Sequence, residues 1–78
     1  ALTSDPGFRH ETLLAIGNLH RQQGHYELAL DYYQQSLRLT EESGIKTSSL
    51  LLNSIGIVHR LQGKPDLALE FYQRALAL

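Results

Sequence analysis

Apolar residues recur at threes and fours along almost the whole chain and nowhere alternate singly, a pattern that predicts helices and no strand. The first stripe is Phe8, Thr12, Leu13, Ile16, Leu19 and the amphipathic His20, which predicts a helix over 8–23. Ser4 or Asp5 can accept its orphan amide protons, Pro6 suits its first turn, and Gly24 ends it. Ala29, Leu30, Tyr33, Ser36, Leu37 and Thr40 carry the second stripe, a helix over 26–42 with Glu27, Asp31, Gln34, Arg38 and Glu41 on its wet side. Gly44 stops this helix, and Ile45 is placed for the apolar contact that follows such a cap. A short loop holds Thr47 and Ser48 as N-cap candidates and leads into a third helix over 48–62, with the stripe Leu51, Leu52, Ile55, Val58 and His59. Gly63 closes it. Pro65 opens the fourth helix, 65–77, whose apolar face is Ala68, Leu69, Phe71, Tyr72, Ala75 and Leu76. Ala1-Leu2-Thr3 aligns with the end of the second helix and reads as the tail of a preceding one.

The four helices are two copies of one unit. Residues 13–39 and 52–78 align without a gap at a period of 39, with 14 of 27 positions identical. The identities include Ile16-Gly17, His20-Arg21, Gln23-Gly24, Leu28-Ala29-Leu30, Tyr33-Gln34 and Leu37, which return as Ile55-Gly56, His59-Arg60, Gln62-Gly63, Leu67-Ala68-Leu69, Tyr72-Gln73 and Leu76. Shared helical composition does not produce that match, so the chain divides into a first repeat over 8–44 and a second over 47–78. Gly17 and Ala29 leave no side-chain bulk, so the helices of one unit can cross near the short end of the roughly 8–10 Å interaxial range. Tyr33 then fills the space beside them.

Leu13, Ile16, Gly17, His20, Gly24, Ala29, Tyr33 and Ser36, echoed by Leu52, Ile55, Gly56, His59, Gly63, Ala68, Tyr72 and Ala75, resemble the large, small and aromatic positions of the tetratricopeptide repeat. Two departures stand out: histidine occupies a place where that family prefers tyrosine, and the period is 39 where the common one is 34. The longer period resembles the subclass of 39–40 residues found in cell-polarity adaptors and bacterial signalling proteins. What the resemblance implies is an all-α solenoid, a right-handed stack of antiparallel helix hairpins, with a concave groove lined by the first helix of each unit.

Composition removes several functions. With no cysteine there is neither a disulfide nor a thiolate metal site, and seven basic against eight acidic residues lack the basic excess that nucleic-acid binding draws on. No apolar run is long enough to span a membrane, and a cytoplasmic setting is the expectation. The length, twice the period, suggests a piece of a longer array. Four histidines raise a metal hypothesis, but none has a partner at i, i+4, and His20 and His59 read as aromatic fillers of the unit, so no metal is expected. Ser43, Ser48, Ser49 and Ser54 have no nucleophile-elbow context, and the glycines are single turn residues with no phosphate cradle among them. Neither a cofactor nor catalysis is expected.

The face left over carries the functional reading. Helix spacing puts Glu11, Leu14, Asn18, Arg21 and Gln22 of the first unit on the open side, and Leu50, Asn53, Ser54, Ile57, Arg60 and Leu61 of the second. Resemblance to the family implies that these positions contact a peptide or helical segment of a partner protein. Arg21 and Arg60 sit at the same phase and would lie roughly 10 Å apart on adjacent helices, which suits successive carboxylates of an acidic peptide. The competing reading is two solvated surface charges, worth little. Asn18 and Asn53 can satisfy a peptide's backbone groups, and Leu50, Ile57 and Leu61 form an apolar floor, unless the helix phase is one position off and they pack inside. Leu69, Leu76 and Leu78 mark an apolar edge suited to stacking, so self-association is also expected. The expected function is a non-catalytic protein-interaction module and scaffold. The alternatives are a structural, oligomerising segment of a longer array and a regulatory array attached to an enzyme or transcription factor.

Overall fold

Four helices make up nearly all of the computed structural model, which describes residues 6–78, with side chains from Arg9 onward: α1 (Pro6–Gln22), α2 (Tyr26–Ser43), α3 (Ser49–Leu61) and α4 (Pro65–Leu76). Every boundary falls within two residues of the one expected from the apolar spacing, and the described residues contain no strand. The expectations placed on Ala1-Leu2-Thr3, on Ser4 and Asp5 as caps and on the Phe8 side chain lie outside the described residues.

Local chemistry accounts for the ends. At each internal turn a glycine takes a left-handed conformation, with φ of 82° at Gly24, 70° at Gly44 and 79° at Gly63. The residue after it then returns an amide hydrogen bond to the last turn of the helix: His25 to the His20 carbonyl at 2.9 Å, Ile45 to Thr40 at 3.0 Å and Lys64 to His59 at 2.8 Å. Ser48 is the N-cap of α3, its hydroxyl accepting from the Leu50 amide at 3.0 Å. Thr47, the other candidate, has its hydroxyl 3.3 Å from that of the buried Thr40, tying the end of α2 to the start of α3.

The helices pair as two hairpins, α1 with α2 and α3 with α4; α2 packs on α3, and α1 touches α3 more lightly. Among the described residues α4 packs on α3 alone. The core is Leu14, Ala29, Tyr33, Leu51, Ile55 and Val58, with Tyr26, Leu30, Leu37 and Phe71 packed around it. Each hairpin closes on a glycine. A Cβ built on Gly17 would stand 2.6 Å from the Tyr33 ring and 3.2 Å from the Ala29 carbonyl oxygen, and one on Gly56 would stand 2.6 Å from the Tyr72 ring. The small residue and the tyrosine are therefore one packing unit, repeated. Ser36, fully buried, donates to the His10 carbonyl at 2.8 Å and joins α2 to the first half of α1.

Two positions of the first stripe depart from expectation. Thr12 and Leu19, expected on the buried side of α1, are exposed, Leu19 by 54%. Their counterparts in α3, Leu51 and Val58, are buried. The reason is position in the stack: α3 has α2 to lie on, whereas no described helix lies against that side of α1. In the same way Leu69 and Leu76 of α4 are exposed, although Leu30 and Leu37 at the same places in α2 pack on the core. No helix among the described residues is long and apolar enough to cross a membrane.

Candidate functional site

The first helix of each hairpin supplies the face of interest, and the two halves of that face differ. On α1, the Tyr33 hydroxyl donates to the Asn18 carboxamide oxygen, and an Arg21 guanidinium nitrogen lies 3.5 Å from the same oxygen. Tyr33 is wholly buried; burial raises its pKa, opposed by the charge of Arg21 and by hydrogen bonding to Arg21 and Ser54. The phenol thus ties α2 to Asn18 of α1, whose carboxamide oxygen Arg21 also approaches. Arg21 is half-buried, and its Nε is enclosed without a protein partner. With its carboxamide oxygen taken, Asn18 has its amide NH2 to offer a ligand.

On α3 the character is apolar. Leu50 and Leu61 are 58% and 45% exposed, Ile57 is half-buried, and Asn53 and Arg60 are exposed beside them. Spacings of seven and four put the three apolar side chains on one stripe, about 16 Å long at 1.5 Å per residue. The stripe does not pack inside.

Two residues expected on this face are not on it. Leu14 is buried in the core cluster with Tyr33, Leu51 and Ile55, because the side of α1 that faces α3 takes it in. Ser54 is buried as well. Glu11 and Gln22 are exposed, as their place on α1 implies. The two arginines also differ. They share a phase, but Arg21 is held against Asn18 whereas Arg60, with Ile57 at the position of Asn18, is exposed. The Tyr33 hydroxyl is a contributor that apolar patterning passes over, since the tyrosine reads as a core filler. Its only sequence signal is Asn18 standing 15 residues earlier, one hairpin away.

The histidines stack on aromatics. His20 lies on Tyr32 with ring centroids 5.4 Å apart and next to His25 at 5.8 Å; His59 lies on Phe71 at 5.5 Å. No group of three or more His, Cys, Asp or Glu side chains able to hold a metal occurs among the described residues. Burial lowers the pKa of His59, and the charge of Lys64 lowers it further. Its contribution to stability is therefore complete above the unfolded pKa of about 6.5. It is lost as the pH falls from there through the depressed folded value, because the unfolded chain takes up a proton that the folded one resists. The urea midpoint should fall between pH 7 and pH 5.5, with a slope attributable to this residue of at most about 1.4 kcal/mol per pH unit. His59→Phe, which keeps the stack and removes the titration, should flatten the profile; an unchanged profile would assign the pH dependence elsewhere.

A family model described as tetratricopeptide repeat matches residues 9–78. No curated protein and no solved structure matches the chain.

Proposed function

The chain belongs to the tetratricopeptide repeat family, a family of protein–protein interaction modules that are typically non-catalytic, and from that premise we propose that the α1 and α3 face binds a segment of a partner protein carrying acidic residues. The observation that supports this reading best is the pairing of a held cation with an open apolar stripe. Arg21 is half-buried beside Asn18, with a guanidinium nitrogen 3.5 Å from its carboxamide oxygen, and Leu50, Ile57 and Leu61 stand beside Arg60 on the next helix. A guanidinium already ordered by the fold loses little side-chain freedom on binding a carboxylate, which favours it as an anchor. The apolar stripe supplies area that water covers in the free chain. An extended peptide advances about 3.3 Å per residue, so carboxylates three residues apart would meet two arginines spaced by roughly one interhelical distance.

The test is anisotropy titration of a labelled peptide with Glu at every third residue and leucines between, against the same peptide with Gln for Glu. Arg21→Ala with Arg60→Ala should weaken the acidic peptide about tenfold, or about 1.4 kcal/mol, and leave the Gln peptide unchanged. Equal affinities for both peptides, before and after substitution, would remove the arginines from the reading. Leu50→Ser with Leu61→Ser should weaken both peptides alike.

A further inference from the structure

On the back of the first hairpin, α1 and α2 enclose a pocket of about 280 Å³, with Arg9 and Leu13 of α1 and Gln35, Arg38, Leu39 and Glu42 of α2 as its walls. Arg9 precedes Asn18 by about two and a half helical turns, which puts it on the opposite side of α1 from the groove. Gln35, Arg38 and Glu42 likewise lie across α2 from Leu30, Tyr33 and Leu37, the side that meets the core. Both walls belong to one hairpin, so the pocket is complete within it. The two guanidinium groups are exposed, and the leucines beneath them are half-buried. Neither arginine has an ion-pair partner within 4.0 Å among the described residues, Glu42 included. The first turn of α1 holds no acidic residue, so the positive end of that helix is unopposed as well. The pair is also peculiar to this hairpin. A shift of 39 residues turns Arg9 into Ser48, which caps α3, and Arg38 into Ala77, so these arginines serve nothing that both units need.

We infer that this pocket binds a dianionic phosphate monoester, of the kind that a phosphorylated serine on a partner protein carries. Two guanidinium groups against the one carboxylate of Glu42 leave the pocket net positive, and attraction grows with the charge of the ligand. A phosphate monoester at about −1.5 to −2 therefore gains up to twice what a carboxylate gains. Its three acceptor oxygens can take hydrogen bonds from both arginine forks and from the Gln35 amide together, where a carboxylate has only two oxygens to share. Leu13 and Leu39 give the methylene of the ester an apolar floor. Glu42 opposes the anion, and its presence keeps affinity moderate.

This pocket is separate from the α1 and α3 groove, and the experiment keeps the two apart. The 78-residue chain is titrated with a short capped alanine peptide carrying a central phosphoserine, and with the same peptide carrying glutamate there, at a pH of about 7.5, where the phosphate is dianionic. Binding is read by NMR at the Arg9 and Arg38 Nε–H groups and the Gln35 side-chain amide. The phosphoserine peptide should bind at least about tenfold tighter than the glutamate peptide; equal binding would overturn the choice of phosphate. Arg9→Gln with Arg38→Gln should weaken the phosphoserine peptide at least about tenfold, and Glu42→Gln, which removes the opposing charge, should tighten it about threefold. These side chains are exposed, and circular dichroism should show the helices intact. An affinity that neither change moves would put the anion elsewhere and sink the proposal. Inorganic phosphate separates the sources: it should bind more weakly than the peptide because it makes no use of the leucine floor, and equal binding would assign the pocket to free phosphate and overturn the partner side chain. Arg21→Ala with Arg60→Ala should leave phosphoserine binding unchanged; a loss there would move the phosphate to the groove.

Discussion

Tyr33→Ala is expected to destabilise the chain by about 3–5 kcal/mol, the range for removing a fully buried large aromatic side chain from a core. Tyr33 is wholly inaccessible, lies against Gly17 and donates its hydroxyl to Asn18, so its loss leaves a cavity at the junction of α1, α2 and α3. At roughly 0.05–0.15 kcal/mol per residue the whole chain is stabilised by about 4–12 kcal/mol, so the variant should be substantially unfolded at 37 °C. Tyr72→Ala removes the residue with the same role in the second unit, yet it should cost only about 1–2 kcal/mol, because half-buried area contributes in proportion. Urea titration measures both. Equal losses would mean that position in the stack does not govern the contribution of the repeated tyrosine. Tyr33→Phe, which deletes only the hydroxyl and its bond to Asn18, should cost about 1 kcal/mol.

Gly17→Val should cost about 3 kcal/mol. A Cβ alone would stand 2.6 and 2.7 Å from two atoms of the Tyr33 ring, inside any real contact distance, and 3.2 Å from the Ala29 carbonyl oxygen. Neither neighbour can yield, since Tyr33 and Ala29 are both fully buried. Overpacking of a tight core costs typically about 1–3 kcal/mol, occasionally more, and the two added methyl groups push it to the upper end. The better helix propensity of valine over glycine offsets only a few tenths. Gly56→Val meets the same ring geometry at Tyr72, but that ring is half-exposed and can swing outward, so the loss should be about 1 kcal/mol. Thermal melts of the two variants, compared with the parent, decide the point: a Gly17→Val melting temperature equal to the parent's would show that the helices separate at no cost. Close approach at Gly17 would then not be a requirement of the fold.

Much of this was open to a reader of the linear chain, and the places where it was not share a cause. Along α1, Leu13, Leu14, Ile16 and Leu19 surround most of the helix with apolar side chains, so periodicity permits more than one buried face. Which leucine is covered depends on where α3 comes to rest, and α3 takes Leu14 and leaves Leu19 outside. Along α3, which carries a second apolar stripe in Leu50, Ile57 and Leu61, packing on α2 chooses the phase the repeat indicates, and Leu51, Leu52, Ile55, Val58 and His59 are all buried. The two arginines are indistinguishable by phase, but one stands beside an asparagine that a tyrosine of the next helix has oriented, and the other stands beside Ile57. Nothing local to Arg21 announces the Tyr33 hydroxyl.

By itself the sequence determined the four helices, the three glycine turns, the pairing into hairpins and the repetition of the unit. All of these depend on residues within a few positions of one another or on identity at a fixed period. Only the tertiary structure decided which copy of each repeated residue is covered, that the Tyr33 hydroxyl donates to Asn18, and that Leu50, Ile57 and Leu61 stay open while Leu14 does not. Burial is a property of what lies against a side chain, and in a stack of like units that neighbour is another helix, set by the order of packing and by no local residue pattern.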